Sequence, residues 1–261
     1  MSDSPSSEAP RSVALGEQQI PEGPALYVVA TPIGNLEDIT LRALRILAQV
    51  DTILSEDTRK TGILLKHYGL RTRQKSYRVH QEEQDLATAM GFLREGRRLA
   101  FCSDAGTPGI SDPVSRLVRT IRAELPEVLI VPIPGPSALA AVRSICGWQA
   151  HPAVFGGFLS PKPGRRRKFL KARSELEAPG SGSEDLIVLY ESVHRIAGLL
   201  EDIRLVFPDR PILIGRELTK IHEEIVILEP ETVDQDWERA LEGLTRKGEF
   251  TVIIGPRRAS F

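Results

Sequence analysis

Apolar residues in this chain fall into short runs separated by segments of helical periodicity. Leu26-Tyr27-Val28-Val29-Ala30, Thr52-Ile53-Leu54, Leu99-Ala100-Phe101-Cys102 and Leu129-Ile130-Val131-Pro132-Ile133 read as strands. Between them the spacing predicts four helices. The first is capped by Asp38 or Thr40 and turns Leu41, Leu44, Ile46 and Leu47 inward; the second carries Ile63, Leu64 and Leu65. The third lies around 86–93 and the fourth runs from Val114 to about 123. Strict alternation of strand and helix predicts a parallel sheet covered on both faces. Beyond Ser137 come a helix at 138–142 and strands near 153–155, 186–190, 212–214, 224–227 and 250–254. Helices are predicted at 165–176, 195–206 and 234–244. The short gap between the 212 and 224 runs predicts an antiparallel pair, hence a mixed sheet. The fold class is therefore α/β, with a disordered tail at 1–24, an N-terminal domain at 25–137 and a C-terminal domain at 138–261.

Composition narrows the function. A formal net charge of -1 over 261 residues confines any nucleic-acid surface to a local patch. Cys102 and Cys146 have no metal-binding or redox spacing and read as reduced, buried thiols. No apolar run is long enough to cross a bilayer and no secretory leader is visible, so a cytoplasmic protein without a membrane partner is expected.

Four strand ends carry Pro or Gly beside polar groups: Thr31-Pro32-Ile33-Gly34-Asn35, the loop from Ser103 to Pro113, Pro134-Gly135-Pro136-Ser137, and Tyr190-Glu191-Ser192-Val193-His194-Arg195. In a parallel sheet the first three share one edge and line one cleft. Ser137 reads either as a helix cap or as the start of an anion site. Asp112 reads as a helix cap or as part of the loop's chemistry. No phosphate-binding GxxxxGK[ST] is present, and the one GxG lies in a polar linker at 180–182. The five histidines lack paired spacing, so no metal is expected. Candidate acids and bases beside the cleft are Glu56, His80, Asp104 and Glu191. The run Arg165-Arg166-Arg167-Lys168-Phe169-Leu170-Lys171 is either a solvated face or a phosphate contact through Arg165, Arg166, Arg167, Lys168 and Lys171. Arg71, Arg73, Lys75 and Arg78 form a second basic group.

Taken together, the 31–40 stretch, Glu56-Asp57-Thr58-Arg59, Ser103 to Pro113 and Pro134 to Ser137 resemble the tetrapyrrole methylase superfamily. With Gly157-Phe158-Leu159, the 190–195 stretch, Arg216-Glu217-Leu218-Thr219-Lys220 and Lys247-Gly248-Glu249, the resemblance is to its small-subunit ribosomal RNA methyltransferase I branch, from about Leu26 to Ile254. That resemblance implies a two-domain fold with S-adenosylmethionine between domains, a homodimer, and 2′-O-methylation of a cytidine in the decoding region of 16S rRNA in the small ribosomal subunit. It implies that Pro32, Asp104, Ala105, Gly106, Thr107, Ile110, Pro134, Gly135, Ser137, Phe155 and Tyr190 hold the methyl donor. Gln81, Val114 and the segment Cys146 to His151 depart from the branch pattern. Two rival readings are a small-molecule methyltransferase of the same fold and a non-catalytic RNA-binding protein.

Overall fold

The computed structural model describes residues 20–78, 81–148, 152–176, 185–230, 234–244 and 247–257. The chain divides between Ser137 and Ala138 into two compact units. The first alternates β1 (Ala25–Val29), α1 (Leu41–Gln49), β2 (Thr52–Ser55), α2 (Thr58–His67), β3 (Gln74–Ser76), α3 (Glu82–Arg94), β4 (Arg98–Cys102), α4 (Val114–Glu124) and β5 (Leu129–Ile133). Its five strands lie in the order β3-β2-β4-β1-β5, and every neighbouring pair is parallel.

The near-continuous apolar character of the inner strands follows from burial on both faces. Tyr27, Val29, Ala100 and Cys102 face one core with Ala43, Leu44 and Leu47 of α1 and Leu64 and Leu65 of α2. Leu26, Leu99 and Phe101 face the other, with Ala89, Met90 and Leu93 of α3 and Leu117 and Ile121 of α4. Pro132, which has no N–H to give a ladder, is accommodated because β5 is an edge strand. Thr40 caps α1 by accepting the Ala43 N–H at 3.1 Å, and Asp57 caps α2 by accepting the Arg59 N–H at 2.9 Å.

The chain leaves β1 across one face of the sheet through α1 and leaves β4 across the other through α4. Because β1 and β4 are neighbours, the loops that follow them diverge at the C-terminal edge, the position where open α/β sheets bind ligands.

The second unit contains α5 (Ala138–Ile145), β6 (Ala153–Phe158), α6 (Pro163–Leu176), β7 (Leu186–Ser192), α7 (Ile196–Val206), β8 (Ile212–Arg216), β9 (Glu224–Leu228), α8 (Asp234–Gly243) and β10 (Glu249–Ile254). Its sheet runs β6-β7-β10-β8-β9, with β6 and β7 parallel and the other pairs antiparallel, as the short 212–224 spacing predicts. Leu170 of α6 and Leu199, Leu200 and Ile203 of α7 cover it together with Ile187, Leu189, Val252 and Ile254.

Two expectations change. Ile20, placed in the disordered tail by composition, is buried in the first core and donates its N–H to Gln49 Oε1 at 2.9 Å. One apolar side chain and one satisfied amide thus anchor the chain ahead of β1, while residues 1–19 lie outside the described residues. The short strand β3 stands where only a polar loop is expected, because its residues Gln74, Lys75 and Ser76 carry no apolar signal. His80 and the 178–183 linker lie outside the described residues. Among the described residues, no helix is long and apolar enough to cross a membrane.

Candidate active site

The loops after β1, β4 and β5 are tied to one another at the C-terminal edge of the first sheet. Thr31 and Gly106 exchange both backbone hydrogen bonds, at 3.0 and 2.9 Å. Thr31 Oγ1 donates to the Ser103 carbonyl at 3.3 Å, and Thr107 Oγ1 donates to the Pro136 carbonyl at 2.9 Å. Three loops far apart in sequence are thereby held as one rim.

Two glycines make that closeness feasible. Gly106 sits at φ +77, and a Cβ there would lie 3.2 Å from Ile33 Cγ2 and 3.6 Å from the Pro136 carbonyl oxygen. At Gly135 a Cβ would stand 3.0 Å from the Ala30 Cβ. The far end of the long loop is fixed by Asp112, whose carboxylate accepts the N–H of Gly109 at 2.7 Å and of Val114 at 3.1 Å. It thus clamps the loop to the start of α4, which is the structural one of its two readings. Burial pushes its carboxyl upward despite these amides.

Acidic groups converge where β2 and β4 end. Glu56 Oε2 accepts the Asp104 N–H at 3.2 Å, and Lys60 Nζ stands 2.8 Å from Asp104 Oδ2. The other Asp104 oxygen, Oδ1, is buried without a hydrogen-bond partner. Such an atom is costly unless something donates to it, so the loop offers an acceptor for a hydroxyl or N–H at that point. Burial pushes the Glu56 carboxyl above its ordinary range; the charges of Asp104 and Asp112 add to this, and the Asp104 N–H and Lys60 oppose it. Neighbouring Asp57 behaves oppositely: hydrogen bonds from the Arg59 side chain and N–H hold it well below the usual carboxylate range.

The other first-unit residues expected to hold a methyl donor lie in the same three loops. Pro32, Thr107 and Ile110 are half-buried; Ala105 and Pro134 are exposed, and Ser137 leads into α5. Phe155 and Tyr190 come together in the second unit, with ring centroids 4.9 Å apart and edge to face. Burial raises the Tyr190 phenol, partly offset by the Leu139 N–H.

Two candidates from the sequence are corrected. Glu191 is sealed from solvent, with its carboxylate taking Arg195 Nε at 2.6 Å and the second guanidinium nitrogen at 2.9 Å. It also accepts the Ser192 N–H at 2.8 Å, so it is a structural ion pair rather than a base. Arg166 faces inward from α6: its Nε lies 2.6 Å from Asp202 Oδ2 and it donates to the Gly198 carbonyl at 2.8 Å. It ties α6 to α7 and is not offered to a partner. Arg167 shares Asp202 at 2.5 Å but keeps half its side chain exposed, while Arg165, Lys168 and Lys171 are exposed. Lys60 and Asp202 escape a reading of the sequence. Nothing local links Lys60 to an acid forty-four positions away. Asp202 does leave a signal, as the second acid of Glu201-Asp202, set between the core positions Leu200 and Ile203.

Comparison with known proteins adds the following. The family model described as Tetrapyrrole (Corrin/Porphyrin) Methylases matches residues 25–234. The Ribosomal RNA small subunit methyltransferase I of Leptospira biflexa serovar Patoc is 42% identical over 235 residues, covering 90% of this chain and 92% of that protein. The protein of the same name from Escherichia coli O157:H7 is also 42% identical, over 90% of this chain and 78% of its own length. Among solved structures, the methyltransferase CobJ superposes with a TM-score of 0.63 at 22% identity, covering 91% of this chain and 97% of that one. Uroporphyrin-III C-methyltransferase from Thermus thermophilus, solved with S-adenosyl homocysteine, gives a TM-score of 0.58 at 17% identity, covering 89% and 98%.

Proposed function

Because the chain belongs to the tetrapyrrole methylase family and to its ribosomal RNA small subunit methyltransferase I branch, we propose that it methylates the ribose 2′-oxygen of a cytidine in the decoding region of 16S rRNA, with S-adenosylmethionine as donor. The observation that carries this reading is the 42% identity to proteins named for ribosomal RNA, maintained over 90% of the chain. The uroporphyrin enzyme of the same fold is only 17% identical, so the fold alone does not favour a small-molecule acceptor. Its bound S-adenosyl homocysteine, the demethylated form of the donor, supports the choice of donor.

The residues present fit such a donor. Asp104, Ala105, Gly106, Thr107 and Ile110, with Pro32, Pro134, Gly135 and Ser137, would hold it on the first unit, and Phe155 and Tyr190 belong to the set on the second. The unpartnered Asp104 Oδ1 supplies an acceptor for a donor hydroxyl or amine. When bound, the donor supplies a methyl group activated on a sulfonium. The protein's tasks are to align the acceptor oxygen and to remove a proton from a weakly acidic hydroxyl. Glu56 is our choice for the base. Its Oε2 is fixed by the Asp104 N–H, which leaves Oε1 to take the 2′-hydroxyl proton as that oxygen becomes the nucleophile. A carboxyl raised by burial is a stronger base than an exposed one once ionised. Arg165, Arg167, Lys168 and Lys171 would meet RNA phosphates, held in place by the Arg166–Asp202 pair.

The test is methyl transfer to small ribosomal subunits from cells lacking this activity, read by nucleoside mass spectrometry. New 2′-O-methylcytidine is expected. Donor binding without RNA methylation would replace this reading with the small-molecule one, and absence of donor binding would overturn it altogether.

A further inference from the structure

Between Asp57 and Glu82 the chain contains no acidic residue and seven Lys or Arg. Arg59 and Lys60 are taken by Asp57 and Asp104. Lys66, Arg71, Arg73, Lys75 and Arg78 are exposed, and among the described residues their side chains have neither an ion-pair nor a hydrogen-bond partner. Elsewhere in the first unit Arg94 meets Glu124, Arg97 meets Glu95 and Arg98 meets Asp51, and the exposed Arg42, Arg119 and Arg122 are scattered; here five such cations follow one another with no acid between them.

Placement gives the pattern a direction. β3 is the outermost strand of the first sheet and runs parallel to β2, with Ser76 level with Ser55. The ladder extends at both ends, since the Ile53 N–H donates to the Arg73 carbonyl and the Tyr77 N–H to the Ser55 carbonyl, each at 2.8 Å. Arg73 and Lys75, two residues apart on an extended edge, point to the same side. Arg78 emerges just past the strand end, at the sheet edge where Glu56 follows Ser55. The row of cations therefore runs along the open edge toward the end of β2 that Glu56 follows.

We propose that Arg71, Arg73, Lys75 and Arg78 form a track for the phosphate backbone of the RNA substrate, leading the acceptor nucleotide to Glu56. This rests on the function proposed above and names how that substrate is gripped. Between Arg71 and Arg78 every exposed side chain is a cation. The segment offers no aromatic or aliphatic anchor of the kind that dominates protein interfaces. Arginine's planar fork fits phosphate oxygens, and three of the four residues are arginine. Charged side chains, lysine above all, also guard bare strand edges against aggregation, yet only one of these four residues is a lysine.

The experiment uses the full chain with Arg71→Ala, Arg73→Ala, Lys75→Ala and Arg78→Ala combined. Its affinity for unmethylated small subunits and for protein-free 16S rRNA is measured across salt concentration, beside calorimetric binding of S-adenosylmethionine. We expect about tenfold or greater loss of RNA affinity and a salt slope shallower by about three, with donor binding unchanged. A second variant exchanging Arg for Lys and Lys for Arg at these positions should keep the wild-type slope. If wild type binds RNA and the alanine variant shows the same slope, the track is wrong while the proposed function stands. Weakened binding to subunits but not to protein-free rRNA would assign the edge to an acidic protein and also overturn it. If wild type binds the donor but no RNA, both readings fall.

Discussion

Glu56 Oε2 accepts the backbone N–H of Asp104 at 3.2 Å, so a carboxylate at the end of one strand is aimed by the first turn of the loop after its neighbour. The same contact links the proposed base to the loop proposed to hold the donor.

Glu56→Gln preserves an acceptor for that N–H while removing the base. Methyl transfer is expected to fall by about a hundredfold or more, with donor affinity retained. In the wild type the rate should rise with pH through an apparent pKa above the ordinary glutamate range, because only the ionised carboxylate takes a proton. Stability has the opposite sign. A carboxyl whose folded pKa is raised favours folding below its unfolded pKa and loses that contribution as pH rises through the folded value. Glu56→Gln should therefore unfold at a higher temperature than wild type near neutral pH and match it in acid, as thermal melts at the two pH values will show.

Lys60→Met removes the positive charge beside Asp104 and opposite Glu56. The rising limb of the rate profile should move to higher pH, and Lys60→Arg should restore it. An unshifted limb in Lys60→Met would separate Lys60 from the ionisation of the base.

Gly135→Ala places a methyl 3.0 Å from the Ala30 Cβ. A cost of about 1–3 kcal/mol is expected for this overpacking, partly recovered by adding Ala30→Gly. Gly106→Ala has no such rescue, because its φ of +77 disfavours any L side chain by about 1–2 kcal/mol. Thermal melts with donor calorimetry distinguish the two.

Asp202→Ala strands the buried Arg166 guanidinium and should cost about 3–5 kcal/mol in chemical denaturation. Arg165→Ala with Lys168→Ala should stay within about 0.5 kcal/mol of wild type, yet weaken RNA binding. Equal stability losses in both variants would mean that the two faces of α6 are not divided in this way.

The sheets and most helices were legible because burial on both faces leaves apolar runs such as Leu99-Ala100-Phe101-Cys102, and helical cover leaves periodic ones such as Leu117 and Ile121. β3 was not, since an edge strand of Gln, Lys and Ser owes its shape to backbone pairing with β2 rather than to its side chains. The strand-end loops were legible as a group through their Pro, Gly and acidic residues. Individual roles were not: Glu56 and Glu191 look alike in sequence. Only the Arg195 fork and the fully buried setting of Glu191 divide them. Likewise Arg165, Arg166 and Arg167 are one run of letters, and helix geometry turns the middle one inward onto Asp202.

The order of the first sheet also governs the making of the protein. β1 is the first strand of this sheet to be made but lies between two later ones, with Ala25 level with Arg98 on one side and Leu129 on the other. Its second partner is synthesised about a hundred residues later, an interval of roughly 5–20 s at ordinary rates of translation. Until then β1 has at least one bare edge, so the first unit must form late and as a whole once β5 is free. A nascent chain stalled before Leu129 should carry helices and a partial sheet, but not the rim that joins Thr31, Gly106 and Pro136.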